Sequence, residues 1–395
     1  MFEALPASAP DAILALMTEF RADERPNKMD LGVGVYKDSK GQTAIMRAVK
    51  LAEKKLYDEQ NTKNYVGPAG DQVFCGFIRE LILGQDYDQT RARSVQTPGG
   101  SGALRVLSDM LHSVSPDATT WVPDPTWPNH IPMLTAAHHK LERYRYYDSA
   151  NNKVDFDGMM ASLSNAKEGD VLLLHGCCHN PTGSDMSLDQ WQAVADLVNK
   201  HKIIPFVDMA YQGFGVGLEE DAAGLRLLVN NVPELVIAAS CSKNLALYRD
   251  RVGSAIVIGA NASAADLAQS RLTTTVRANY SMPPDHGAAL TAMIFKDDSL
   301  KAIWMEELNE MRTRMQRLRR EFADALRKRS NSDKFDFIAE QRGMFSRLPL
   351  TKEHIDRLRD ESAIYIVGDG RLNVAGLPDD GLDDLAEKIV AVMSD

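Results

Sequence analysis

Apolar and polar positions along this chain follow two periods. Nearly unbroken apolar runs at Val171-Leu172-Leu173-Leu174, Ile203-Ile204-Pro205-Phe206-Val207, Leu235-Val236-Ile237-Ala238 and Ser254-Ala255-Ile256-Val257-Ile258 have the pattern of strands buried on both faces. Between them Trp191, Val194, Leu197 and Val198 recur at helical spacing. Strands alternating with helices predict a parallel α/β sheet. Helical patterns also cover Ile13, Leu14, Leu16, Met17 and Phe20 behind an irregular, proline-bearing start, and the stretch from Ala44 to Glu59. Residues 300–329 read as one long helix, with Leu308, Met311, Met315, Leu318, Phe322 and Leu326 three or four apart. Its arginines (Arg312, Arg314, Arg317, Arg319, Arg320) are expected on a solvated face. Beyond it, residues 342–346 and 364–368 suggest strands. Arg371-Leu372-Asn373 alternates, so Arg371 and Asn373 share a face, and a helix over 382–393 closes the chain. The prediction is a large domain over 44–310 around a mostly parallel seven-stranded sheet. A smaller α+β domain is built from 1–43 and 311–395, with the long helix as the bridge.

The polar residues at the ends of these runs carry the chemistry. Asn180, Asp208 and Lys243 each follow an apolar strand, which brings all three to the carboxyl edge of one sheet, where such folds bind ligands. Singly, each has an ordinary reading: an aspartate caps a helix, and a lysine faces water or serves as an amine for Schiff-base chemistry. Three complementary groups on one edge argue for a site. Thr97-Pro98-Gly99-Gly100-Ser101-Gly102 opens a helix and is either an anion cradle or a tight turn. Glycines alternating with apolar residues over 31–36 imply backbone packed closely against another element or a ligand. Asn64-Tyr65-Val66-Gly67-Pro68-Ala69-Gly70 is a loop whose Tyr65 either packs or belongs to a site. Around Trp127, Pro123, Pro125 and Pro128 stiffen a loop able to hold an indole face in place.

Composition narrows the class. At 395 residues, 44% hydrophobic and 25% charged, the chain is that of an ordinary enzyme of about two domains. A net charge of −10 without blocks of like charge speaks against nucleic-acid binding. No apolar run reaches the roughly 18 residues of a membrane span, and no signal-peptide pattern is present at the start. The four cysteines form no CxxC pair or disulfide framework, as expected of a cytoplasmic protein. His175-Gly176-Cys177-Cys178-His179 gathers soft ligands, but neighbours on a strand point to opposite faces, so no metal site is expected.

These groups suit pyridoxal phosphate. The aldehyde needs the Lys243 amine, and the ring nitrogen stays protonated against the Asp208 carboxylate, itself held by His130. Tyr211 and Asn180 can donate to the phenolic oxygen, and Trp127 can lie flat on the ring. Gly100, Ser101, Ser240 and Arg251 suit the phosphate.

At these residues the chain resembles a known family. Asn180-Pro181-Thr182-Gly183, Asp208-Met209-Ala210-Tyr211-Gln212-Gly213-Phe214, Ser240-Cys241-Ser242-Lys243-Asn244 and Arg371-Leu372-Asn373-Val374-Ala375-Gly376 look like fold-type I aminotransferases of the aspartate/aromatic-amino-acid branch. The resemblance runs nearly end to end. It implies a ping-pong transaminase in which Ser242 joins the cofactor contacts and Arg371 grips the substrate α-carboxylate, with the Gly34 backbone closing over it. It also implies a homodimer whose sites are each completed by Tyr65, on the phosphate, and Arg277 from the neighbour. Aspartate-type members usually have Thr where this chain has Ser101, and Asn where it has Met282. Lys37, Thr43, Asn64 and Arg277 keep the aspartate-like pattern, while 175–183 and 238–243 are most similar to bacterial aromatic-amino-acid aminotransferases. The expectation is dual specificity, for aromatic amino acids together with aspartate and glutamate. The alternative is an aspartate aminotransferase restricted to dicarboxylic substrates.

Overall fold

The computed structural model describes residues 2–5 and 12–394; the prolines expected in the irregular start lie outside them. Seven strands form the central sheet: β1 (Ala92–Pro98), β2 (Thr119–Asp124), β3 (Lys140–Arg145), β4 (Val171–His175), β5 (Ile204–Met209), β6 (Leu235–Ser240) and β7 (Val252–Ile258). Their spatial order is β1-β7-β6-β5-β4-β2-β3. All neighbours run parallel except β7, which is antiparallel to both β1 and β6.

Burial on both faces explains why the runs are so apolar. Leu172, Leu174, Val207 and Ile237 enter one core, while Leu173, Phe206, Val236 and Ala238 enter another across the sheet. β1 and β3 escaped the apolar pattern for opposite reasons. β3 is an edge strand, largely exposed. β1 is buried yet polar, because Ser94 accepts from Arg79 Nη1 (2.6 Å) and Gln96 Oε1 from Asp71 N (2.9 Å). The stiff loop expected from Trp121 onward begins later, since Trp121, Val122 and Pro123 lie in β2.

Helix α1 (Gly99–Val114) follows β1, and the long helix is α2 (Asp298–Ser330). α2 spans two cores. Leu300, Trp304, Leu308, Met311 and Met315 join the sheet's core; Leu318, Phe322 and Leu326 join a separate one with Leu31, Leu358, Ile364 and Ile389. The solvated face expected for its arginines is corrected at two of them. Arg319 is fully buried, and Arg314 turns inward to Asp379 and the carbonyls of Lys37 and Leu377. A guanidinium has enough donors to be enclosed by backbone oxygens, which spacing along a helix does not reveal.

Next to that second core, β8 (Phe345–Arg347) pairs antiparallel with β9 (Arg371–Asn373). The strand expected over 364–368 is realised only at Ile364–Tyr365, which pairs parallel with Met29–Asp30.

Candidate active site

β4, β5 and β6 lie side by side and bring Asn180, Asp208 and Lys243 to one cavity of about 240 Å³; Asn180 and Lys243 come from the chain leaving β4 and β6, whereas Asp208, expected after its strand, lies within β5 near its end. His175, the last residue of β4, is level with Asp208 on β5. Gly34, Gly100, Ser101, Trp127, Tyr211, Ser240, Ser242 and Arg251 line the same cavity. A roomier cleft of about 660 Å³ beside Trp191, Asp221 and Arg342 holds none of the strand-end groups.

Lys243 is enclosed, and burial lowers its pKa to about 8 despite the opposing charge of Asp208; Arg251 and Arg371 push the same way as burial. Its Nζ sits 4.7 Å from the centre of the Tyr211 ring. Burial alone would raise the Asp208 carboxyl, but the hydrogen bond from His130 and the neighbouring His175 and Lys243 outweigh it, and the pKa falls below the ordinary value. His130 Nε2 lies 3.0 Å from Asp208 Oδ2. A carboxylate can only accept, so this nitrogen carries the proton and Nδ1 faces the Thr126 hydroxyl at 2.8 Å. Thr126 also meets His175 Nε2 at 3.2 Å, and burial pushes His175 down to about 3. Asp208 thus has a hydrogen-bonded wall behind it.

Asn180 Nδ2 donates to the Tyr211 hydroxyl (3.3 Å), and its Oδ1 accepts from Arg371 Nη1 (3.3 Å). Burial raises the Tyr211 phenol well above its usual value, which keeps it a donor. Arg371, 3% exposed, also donates from Nη2 to Gly32 O (2.8 Å), so the β9 guanidinium reaches the glycine segment expected to lie over the site. Asn373 donates to Val33 O and Val35 O from the same face of β9.

At the opposite end α1 begins without a side-chain cap. Gly99 has φ +71°, and a Cβ there would lie 2.6 Å from Arg251 Nη2; one at Gly100 would lie 2.9 Å from Ser240 Cβ. Free N–H groups, hydroxyls and a guanidinium therefore converge where no side chain fits. Such an arrangement suits an anion such as a phosphate. The enclosed amine, the buried carboxylate, the phenol–amide pair and this cradle together match the donor set of pyridoxal phosphate.

Two expected residues are not brought to this cavity by their own chain. Tyr65 is 91% exposed on its loop, and Arg277 is exposed beside Ser281. His175 and His179 do not lie on opposite faces of one strand, the placement expected when no metal site was foreseen. β4 ends at His175, the chain turns, and the His175 and His179 rings come within 4.2 Å. Cys177, Cys178 and Asp221 also cluster, but the Asp221 oxygens already accept from Gly213, Gly215 and Val216 N–H groups.

Sequence reasoning missed three residues. Tyr248 lines the cavity and its hydroxyl accepts from Tyr36 N (3.0 Å); Thr126 links His130 to His175; Phe345 lies 4.6 Å from the Arg371 guanidinium. Phe345 and Thr126 stood in stretches already singled out, one as part of a strand and the other in the stiff loop, but neither was given a role.

Residues 26–389 match the family model for aminotransferases of class I and II. An aromatic-amino-acid aminotransferase of Paracoccus denitrificans is 48% identical over 98% of both chains. An aspartate aminotransferase of Salmonella typhi is 47% identical over the full length of both. Among solved structures, an aromatic-amino-acid aminotransferase from Burkholderia pseudomallei, covalently bound to pyridoxal phosphate, superposes with a TM-score of 0.96 at 39% identity over 99% of each chain.

Proposed function

The chain belongs to the class I and II aminotransferases, and from that premise we propose that it moves the amino group of phenylalanine, tyrosine, tryptophan, aspartate or glutamate to 2-oxo acids such as 2-oxoglutarate and oxaloacetate, in two ping-pong half-reactions. Bound pyridoxal phosphate supplies the electron sink that acidifies the amino acid's Cα–H and stores the amino group between the halves. The chain's residues do the rest. Lys243 Nζ, about half neutral at pH 8, would hold the aldehyde and, once released from it, would serve as the base that removes the Cα proton and later returns it. Asp208 keeps the ring nitrogen protonated, and His130 keeps Asp208 ionised and oriented. Tyr211 and Asn180 would donate to the phenolic oxygen, and Trp127 would offer the ring its indole face. The α1 terminus, Ser101, Ser240, Ser242 and Arg251 hold the phosphate. Arg371 takes the α-carboxylate as a bidentate fork, beneath the backbone of Gly34.

The observation that carries this reading is the convergence of Lys243 and Asp208 from adjacent strand ends on one cavity. A second copy of the chain completes each site with Tyr65 and Arg277; the support is an aromatic ring and a cation left exposed on loops outside their own cavity. Arg277 pairs a substrate's second carboxylate and swings outward when an aromatic side chain enters, because a buried unpaired guanidinium would be costly. Met282 offers that ring a pliable apolar surface. Residues 44–310 are assigned to the cofactor-binding domain and 1–43 with 311–395 to the small one; the second core around Leu318, Phe322 and Leu326 supports the division, while Met311, Met315 and Phe345 still pack into the sheet's core. The protein works in the cytoplasm without a membrane or nucleic-acid partner; its described cysteines are buried free thiols, and none of its described helices is long and apolar enough to cross a membrane.

Stopped-flow spectroscopy of the pyridoxal form tests the substrate range. Phenylalanine, tyrosine, aspartate and glutamate should each bleach its visible absorption. Bleaching by the two dicarboxylates alone would favour the restricted aspartate reading, to which the Salmonella relative's name also points.

A further inference from the structure

Arg319 lies in the interior of α2, 2% exposed, and the cofactor chemistry has no use for it. Among the described residues its hydrogen-bond partners are all neutral. Nη1 donates to Ile338 O (3.0 Å) and Ser346 Oγ (2.7 Å). Nη2 donates to Arg342 O (3.1 Å), Gly343 O (2.8 Å) and Phe345 O (2.6 Å), and Nε to Gly343 O (3.3 Å). Burying a cation without a carboxylate beside it is unfavourable for stability. What the planar fork supplies is geometry: the backbone of residues 338–346 is curled around one guanidinium.

The curled segment then presses on the substrate side of the cavity. Arg342 N donates to Gly183 O (2.8 Å), in the turn that follows Asn180. The fit there leaves no room for side chains: a Cβ on Gly343 would lie 2.3 Å from Cys178 Cβ, and one on Gly183 would lie 2.4 Å from Phe345 O. The Phe345 ring emerges 4.6 Å from the Arg371 guanidinium and edge-on to Tyr211 at 5.9 Å. It also stands 3.0 Å from where a Cβ of Gly34 would be.

We propose that Arg319 is a positioning residue for carboxylate binding: by gathering the 338–346 carbonyls it sets the Phe345 ring, and that ring holds the Arg371 guanidinium in line with Asn180. The inference rests on Arg371 being the α-carboxylate grip. A cation over an aromatic face is attracted to it, so a ring fixed from behind fixes the fork in front.

The test uses the pyridoxal-phosphate-loaded dimer and 3-indolepropionate, a carboxylate with no amine to react, titrated by calorimetry. Arg319→Lys keeps the charge but loses the fork, and Phe345→Leu removes the ring. Each should raise the Kd of 3-indolepropionate and the KM for phenylalanine about tenfold, with kcat falling by less than about threefold. The visible absorption of the bound cofactor and its pH midpoint should stay put, because Lys243 and Asp208 come from other strands. The double variant should bind no more than about twofold worse than Phe345→Leu alone, since both act through one ring. A parent-like Kd in either single variant, or effects that multiply to about a hundredfold, overturns the proposal. Should Arg319→Lys not fold, Phe345→Leu decides by itself, because a parent-like Kd there removes the relay. Arg371→Leu separates this idea from its premise. If that change leaves the Kd alone, the carboxylate reading falls; if it weakens binding while Arg319→Lys does not, only the positioning role falls.

Discussion

Lys243 is enclosed, and its ammonium has given up hydration that Asp208 only partly replaces. Burial disfavours the charged form, so the folded pKa lies near 8, below the ordinary lysine value of 10.5, and neutral amine accumulates at lower pH than in free lysine. The rate at which the cofactor-free protein takes up pyridoxal phosphate covalently should therefore rise through about pH 8 and then level off. Borohydride trapping at each pH with peptide mapping would measure it, and a midpoint near 10 would contradict the enclosed geometry. Asp208 invites a second test. Asp208→Asn keeps the shape but removes the charge that His130 orients, so kcat should fall by about 10²–10³-fold with little change in cofactor content. Steady-state rates beside the absorbance of bound cofactor would show both. Both residues could be singled out from sequence because, with Asn180, three complementary polar groups fall at the ends of neighbouring apolar runs, although each alone has an ordinary reading. Thr126 and Tyr248 could not, since a hydroxyl in a loop has no pattern to distinguish it.

Elements carry the next set of constraints. In the proposed site the start of α1 receives the phosphate, because Gly99 turns the chain through positive φ and leaves the space that Arg251 occupies. Gly99→Ala should weaken pyridoxal-phosphate binding about tenfold, the cost of roughly 1–2 kcal/mol for a side chain in the left-handed region. Equilibrium dialysis would read it, and unchanged affinity would mean that the cradle lies elsewhere. α2 shows how far an element's pattern can be read. Its apolar spacing predicted the helix to within a few residues, because burial of one stripe imposes the 3.6-residue period. Which of its arginines faces inward was not legible. That depends on carbonyls from residues 338–346, contributed by a segment that meets the helix only after folding.

At the scale of the molecule, one copy of the chain falls short of the proposed site. If Arg277 serves the neighbour, Lys243→Ala and Arg277→Ala protomers are each defective with aspartate, but mixed dimers regain one intact site. Refolding the two together in equal amounts should restore about a quarter of the parental aspartate rate, the share expected of random two-fold pairing. No recovery would place Arg277 in its own subunit's site or outside both. Much of the architecture was determined by the sequence alone. Strands covered on both faces must be apolar throughout, and the chain leaving them must be polar where it meets a ligand, so the sheet and its three strand-end groups could be read from the residues. Tertiary structure decided what has no local period: β7 running against its neighbours, the polar interior of β1, the meeting of His175 with His179, and Phe345 over Arg371. Each of these depends on groups far apart in the chain, whose partners are chosen by packing and hydrogen-bond satisfaction rather than by spacing.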